Sequence, residues 1–137
     1  MLFRSTYGPG VTVGRSGSVG EVNYVDGDFW SHNTSIFVKD RKGNNMRFLY
    51  YVLLSLDIKE LAGGSAVPTL DRKNVEAIHL LFPTDRNEQQ TISNFLDRKC
   101  AEIDDLLAEK QKAAETMRQY KKSLIYEYVT GKKRVAG

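Results

Sequence analysis

The sequence predicts an α+β fold, in which a small sheet-rich domain is followed by one long helix that forms a coiled coil. Before residue 84, apolar residues alternate in short runs between glycine and Asp-Gly turns, which is typical of short strands. From residue 84 to 130 there is neither proline nor glycine, and apolar residues recur at heptad spacing. The 137 residues suffice for one such unit but not for two full domains.

Three alternating pairs predict the strands: Val11 and Val13, Val22 and Tyr24, and Ile36 and Val38. Asn44 or Asn45 can cap a helix after them. Its buried face would be the residues at helical spacing, namely Phe48, Leu49, Val52, Leu53, Leu56 and Leu61. The alternation of Ile78, Leu80 and Phe82 predicts a last strand, which Pro83 would end. Three aromatic residues are expected in the core: Trp30, Tyr50 and Tyr51.

The long helix has start and stop signals at both ends. Asp85 and Glu88 have the spacing of a capping box, and Gly131 stands where a left-handed cap is expected. About 45 residues at roughly 1.5 Å each make a rod of roughly 65 Å, which is longer than a small domain covers. We therefore expect three segments: a domain over residues 1–84, a helix over 85–131 and a basic tail over 132–137.

A heptad register with Leu96 at position a predicts that this helix pairs with another helix. The apolar positions expected at the dimerisation seam are Ile92, Leu96, Ile103, Leu106, Met117, Tyr120 and Leu124. Lys99, Lys110 and Glu127 interrupt the seam and can fix its register, and in an antiparallel pair Lys99 would approach Glu127 of the other helix. The alternative is a single helix packed on its own domain.

The segment VTVGRSGSVG, residues 11–20, carries three glycines around Arg15. Their spacing does not match the dinucleotide-binding fingerprint, and no helix clearly starts after them, so a nucleotide site is not expected. The glycines would let a strand end turn sharply and expose backbone amides with the side chains of Arg15, Ser16 and Ser18. Such a loop can hold phosphate oxygens, and the alternative is a plain tight turn.

Two further loops carry polar side chains. Residues 31–34, SHNT, offer His32 and Asn33, and asparagine is the type that pairs bidentately with adenine. The loop GGSAVPTLDRKN clusters Ser65, Thr69, Arg72, Lys73 and Asn74 for contact with phosphate or guanine. The alternatives are an ordinary polar turn before a strand and a solvated connector.

Composition narrows the function. Twenty Lys and Arg against 17 Asp and Glu give a net charge of only +3, so any nucleic-acid contact depends on where the cations lie. There is no zinc-type cluster of Cys and His, no Gly-Lys-Ser/Thr phosphate loop and no adenine-methylation tetrad, so no metal, cofactor or catalysis is expected. The single Cys100 and the lack of a long apolar run favour a cytoplasmic protein without a membrane segment.

Three runs carry a family resemblance: GGSAVPTLDRKNVEAIHLLFP, EQQTISNFLDRKCAEID and SLIYEYVTGK. With VTVGRSGSVGEV and FWSHNTSIFV ahead of them, they are similar to the specificity (S) subunit of type I restriction-modification enzymes. There they span the end of a target-recognition domain and the conserved helix after it. The resemblance covers nearly the whole chain. A family half-subunit carries further recognition-domain sequence ahead of VGRSG, so the chain corresponds to the last part of one half.

The resemblance implies a DNA reader and not an enzyme. In the family, two recognition domains at opposite ends of an antiparallel helix pair each read one half of a split DNA site. The chain would then bind double-stranded DNA, methyltransferase (M) subunits and the motor/nuclease (R) subunit, and would pair as a homodimer or with another S half. The expected DNA-binding residues are Arg15, Ser16, Ser18, His32, Asn33, Ser65, Thr69, Arg72, Lys73 and Asn74. A second interpretation stays open, in which a truncated domain no longer reads DNA and the chain is a dimerisation or regulatory module.

Overall fold

The structure is a computed structural model that describes residues 6–62 and 67–136. The chain divides into two compact units, Met1–Phe95 and Leu96–Gly137. The first unit holds a sheet, the short helices and the first turns of the long helix. The second unit holds the rest of that helix and the C-terminal residues.

The sheet has three antiparallel strands in the order β2-β1-β3. They are β1 (Gly10–Gly14), β2 (Val22–Val25) and β3 (Ser35–Phe37). The central strand is the most buried, with Val11 at 0% and Val13 at 3% exposure. Each of the three predicted strand segments is confirmed, and Val38 extends the pairing of β3 by donating its backbone N–H to Val11 O.

The helices are α1 (Met46–Leu54), a 3-10 helix (Ile58–Leu61), α2 (Arg72–Glu76) and α3 (Arg86–Val129). Asn45 caps α1 by accepting a hydrogen bond of 3.0 Å from Phe48 N, as predicted. The first helix ends earlier than the apolar pattern indicates, because Ser55 closes it. Leu61, predicted on its face, lies in the 3-10 helix.

The core lies where the sheet meets the short helices. Val13 from β1, Ile58 from the 3-10 helix and Leu70 before α2 form its buried centre. The partly buried residues that pack on it come from β2, β3, the short helices and the loops between them: Val19, Val22, Ile36, Leu53, Leu56, Leu61 and Val75. Burial of these side chains provides the main driving force for the fold.

Two predictions of this region are wrong. Residues 78–82 form no strand: Ile78 N bonds to Val75 O just after α2, while Leu80 and Leu81 are exposed. Alternation marks which side chains could share a face, but no described strand pairs with this segment. Trp30 is 59% exposed and so lies outside the core. The predicted long helix is confirmed as α3, which has 44 residues, and the predicted α+β class is confirmed as well.

The long helix starts and ends close to the predicted limits. Asp85 accepts a hydrogen bond of 2.8 Å from Asn87 N, so its carboxylate caps the first turn through this amide and not through Glu88 N, which the expected capping box requires. Among the described residues, the reciprocal bond from the Glu88 side chain is not made. Gly131 has φ +75°, and its N–H donates to Tyr128 O, so it is the left-handed C-terminal cap.

Candidate nucleic-acid interface

Three segments of the first unit meet at Arg15 and Ser16. Both backbone N–H groups donate to Thr34 O, at 2.7 and 3.2 Å. On the other side, Arg15 O accepts a hydrogen bond of 2.9 Å from Leu70 N, and Ser16 forms an isolated β-bridge with Thr69. The glycine-rich loop, the 31–34 loop and the segment before α2 are therefore joined by backbone hydrogen bonds.

The glycine-rich loop is closed on itself. Gly14 N donates to Glu21 O at 2.8 Å, and Gly20 N donates back to Gly14 O at 3.0 Å. A Cβ at Gly14 would collide with the carbonyl oxygen of Ser18, so this position needs glycine. Gly17 and Gly20 both have φ +79°, the left-handed region that glycine adopts without strain. The loop is thus a tight turn, with the side chains of Arg15 and Ser18 exposed on it.

The 31–34 loop is ordered by Ser35 at its end. Ser35 donates from its backbone N–H and from its hydroxyl to His32 O, at 3.1 and 3.2 Å. Ser31 Oγ lies 3.1 Å from Ser35 Oγ. The side chains of His32 and Asn33 remain exposed. This arrangement fixes the backbone and leaves two polar side chains available for a ligand.

The remaining predicted residues lie on and before α2. Asp71 caps this helix by accepting from Lys73 N at 2.9 Å. Arg72 Nε lies 3.1 Å from Glu76 Oε1, and Asn74 Nδ2 donates to Leu61 O at 3.1 Å. One donor of Asn74 is thus used inside the domain. Ser65, also predicted to bind DNA, lies outside the described residues.

The ion pair of Arg72 does not prevent it from binding an anion. Both side chains are well exposed, at 71% for Arg72 and 60% for Glu76. An exposed i,i+4 pair contributes only about 0.3–0.5 kcal/mol. A phosphate can therefore replace Glu76 at small cost.

A groove runs beside β3 and α2. Its volume is about 470 Å³, and its apolar lining is Val13, Ile36, Phe37, Val38, Leu53 and Val75. Arg72 lies at this groove together with two cations that the sequence reasoning missed, Lys39 and Lys42. Their signal was present in the sequence as three cations within Lys39-Asp40-Arg41-Lys42, followed by Gly43.

The predicted seam of α3 is apolar and accessible in its later part. Ile92 and Leu96 are partly buried. The other five are exposed: Ile103 55%, Leu106 57%, Met117 66%, Tyr120 61% and Leu124 38%. An uncovered apolar stripe of this length is typical of a surface that binds a partner.

Two of the polar seam positions have ion-pair partners within the chain. Lys99 Nζ lies 2.7 Å from Glu102 Oε2, and Lys133 Nζ lies 2.8 Å from Glu127 Oε2. The hydrogen bond that Lys133 donates to the Glu127 carboxylate, together with the negative charge of that carboxylate, raises the pKa of Lys133 above the ordinary lysine value. Both contacts are exposed, so a partner helix can compete for them.

No helix in the described ranges is long and apolar enough to cross a membrane. No cluster of three or more His, Cys, Asp or Glu residues in this part of the chain is placed to hold a metal ion.

Residues 5–124 match the family described as the type I restriction modification DNA specificity domain, and the chain belongs to that family. No curated protein matches the chain significantly.

A solved structure shows the same fold. It is the S subunit of a type I restriction-modification system from M. genitalium, with 24% sequence identity and a TM-score of 0.62. The match covers 78% of this chain and 29% of that subunit. The chain thus spans less than a third of the length of this relative.

Proposed function

We propose that the chain is a non-catalytic DNA-specificity module of a type I restriction-modification complex and binds one half of a split DNA site. The observation that carries this proposal is the junction at Arg15 and Ser16, because it gathers three polar loop segments into one face. Membership of the DNA specificity family supports it. In this proposal residues 1–84 read DNA, 85–131 are a dimerisation and spacer helix, and 132–137 are a basic tail.

The loops would make different kinds of contact with DNA. Arg15, Arg72 and Lys73 would hold phosphates, which contributes affinity and register but no sequence information. Asn33 would read a base edge, since its exposed amide can donate and accept at once. The remaining contacts would come from Ser16, Ser18, His32, Ser65, Thr69 and Asn74.

Pairing through α3 is supported by the charge along that helix. Residues 97–109 contain two Lys and Arg against five Asp and Glu, whereas residues 110–134 contain eight against two. A parallel homodimer would place like charges side by side, and an antiparallel one places the acidic part of one helix against the basic part of the other. We therefore propose an antiparallel pair, formed with a second copy or with another S half.

The wider partners follow from the family. A type I complex requires methyltransferase (M) subunits for methylation and a motor/nuclease (R) subunit for cleavage. In this proposal the chain docks M subunits in the cytoplasm and itself needs no cofactor.

A second function is a dimerisation or regulatory module that pairs with an intact specificity subunit through α3 and does not itself read DNA. The observation that favours it is the exposed apolar stripe of α3, in which Ile103, Leu106 and Met117 are 55%, 57% and 66% exposed.

The experiment that separates the two functions compares DNA binding by a type I methyltransferase with and without the full-length chain. The specificity module predicts that the chain raises the affinity for duplex DNA. The regulatory module predicts that the chain leaves it unchanged or lowers it by displacing an intact specificity subunit.

A further inference from the structure

We propose that the turn Lys39–Gly43, together with Arg72 across the groove, binds the phosphates of one DNA strand at a distance from the bases read by Asn33. This inference rests on the proposed DNA-binding function and adds a contact surface to it. The turn carries the densest group of cations in the first unit, three within four residues. Their side chains are all exposed.

The turn is held in shape by its own acid and by the residues after it. Asp40 Oδ1 accepts a hydrogen bond of 2.8 Å from Lys42 N. Arg41 O accepts from the backbone and the side chain of Asn44, at 2.8 and 2.9 Å. Within the described residues, none of the three cations forms an ion pair with a carboxylate. The only acid of the turn therefore supports its backbone and leaves the cations available for an external anion.

Lys42 occupies a backbone conformation that lysine rarely adopts. Its φ is +46°, and Gly43 after it has φ +81°. Glycine or asparagine would hold a left-handed position with less strain than lysine. A cation kept at a strained, exposed position points to a role for its charge.

The groove brings this turn to one of the predicted phosphate contacts, Arg72. Lys39, Lys42 and Arg72 line it together with the carboxylates of Asp40 and Glu76 and with several apolar side chains. Glu76, the ion-pair partner of Arg72, is exposed, so a phosphate can replace it at small cost. A sugar-phosphate strand fits such a surface, since it presents anionic phosphates to the cations and apolar deoxyribose carbons to the lining.

The turn and the candidate reading loop lie at opposite ends of β3. Lys39 comes six positions after Asn33 in the sequence. At about 3.3 Å per residue of extended chain, they lie at most roughly 20 Å apart. Phosphates carry no sequence information, so the turn would contribute equally on all sequences.

The test measures binding of the full-length chain, with and without a type I methyltransferase subunit, to a mixed-sequence 30-bp duplex (about three helical turns) over several salt concentrations. One variant combines Lys39→Gln with Lys42→Asn, because asparagine tolerates the left-handed backbone. The matched control combines Lys112→Gln with Lys122→Gln, two exposed lysines of α3 outside the predicted seam. Arg15→Ala serves as a separate reporter of the proposed function. Circular dichroism confirms that each variant is folded.

We expect the turn variant to weaken binding and to flatten the plot of log affinity against log salt by about two units, one per lost contact, beyond any change in the control. DNA should also protect Lys39 and Lys42, but not Lys112, from acetylation read by mass spectrometry. If Arg15→Ala weakens binding while the turn variant matches its control and both lysines stay reactive, the turn lies outside the interface and the proposed function stands. If the wild-type chain binds no duplex, either with or without the methyltransferase subunit, the proposed turn contact and the proposed DNA-binding function are both overturned.

Discussion

The backbone N–H of Asn45 donates a 2.8 Å hydrogen bond to Gln89 Oε1, and this bond joins the start of α1 to the first turn of α3. Gln89 is fully buried. Its Nε2 group donates to Asn44 Oδ1 and to Pro83 O, both at 2.7 Å. The side-chain amide thus pairs its nitrogen and its oxygen, and it joins the segment Asn44-Asn45 to Pro83.

Replacing Gln89 with leucine should destabilise the first unit. The apolar side chain leaves Asn45 N buried without a partner, and an unpaired buried group costs about 1 to 3 kcal/mol. Urea unfolding followed by circular dichroism measures this loss. Gln111→Leu makes the same change at an exposed position of α3 and should stay within about 0.5 kcal/mol of the wild type. Equal stability of the two variants would show that the Gln89 network contributes nothing.

Asn33 should determine sequence preference. Asn33→Ala is expected to cost about 1 to 3 kcal/mol on a half-site selected from a random duplex pool by the wild-type complex, and little on unrelated DNA. The control is Asn23→Ala, which removes an exposed amide from β2. An equal loss on both kinds of DNA would make Asn33 a phosphate contact instead of a base reader.

Pairing through α3 should depend on its apolar seam. The double variant Leu106→Gln, Met117→Gln is expected to be monomeric by light scattering at a concentration where the wild-type chain is dimeric, because two exposed apolar contacts are lost. Ala101→Gln with Ala108→Gln introduces the same polar side chains at exposed positions on the opposite face, and this control should remain dimeric. A monomeric wild-type chain at tens of micromolar, roughly 10⁻⁵ M, would contradict the pairing proposal.

Lys133 should lose its proton at a higher pH than an ordinary lysine side chain. Glu127 raises its pKa, so the contact contributes at neutral pH and is lost only as the pH rises through the elevated pKa. Nuclear magnetic resonance of the Lys133 Cε atom follows this titration in the wild-type chain and in the Glu127→Gln variant. Glu127→Gln should return Lys133 to the ordinary range, and an unchanged midpoint would assign the shift to another cause.

Local signals explain which parts of the fold could be predicted. The cap at Asn45 depends on an amide only three residues away, and α3 follows from a long stretch without helix breakers. The predicted strand at residues 78–82 is wrong because alternation does not reveal whether a partner strand exists. Gln89 was not identified for a similar reason: its partners Asn44 and Asn45 are 45 and 44 residues away.

For the candidate interface, the sequence predicted the loops but not that they come together. Glycine, proline and polar side chains marked its three loops in the sequence. Their convergence depends on hydrogen bonds from Arg15 to Thr34 and from Leu70 to Arg15, which connect distant parts of the chain and leave no mark in any one segment. The cations at Lys39 and Lys42 could have been found from their density next to a glycine turn.

The salt dependence of DNA binding by Arg15→Ala tests the central claim most directly, because Arg15 lies where the three loops meet. The titration uses the full-length chain assembled with a methyltransferase subunit, on selected and unrelated duplexes, with Lys112→Ala as a control of equal charge. We predict that Arg15→Ala weakens binding about equally on both duplexes and flattens the salt dependence by roughly one unit, while the control changes neither. Binding by Arg15→Ala that matches the control on both duplexes would contradict a DNA interface at this junction.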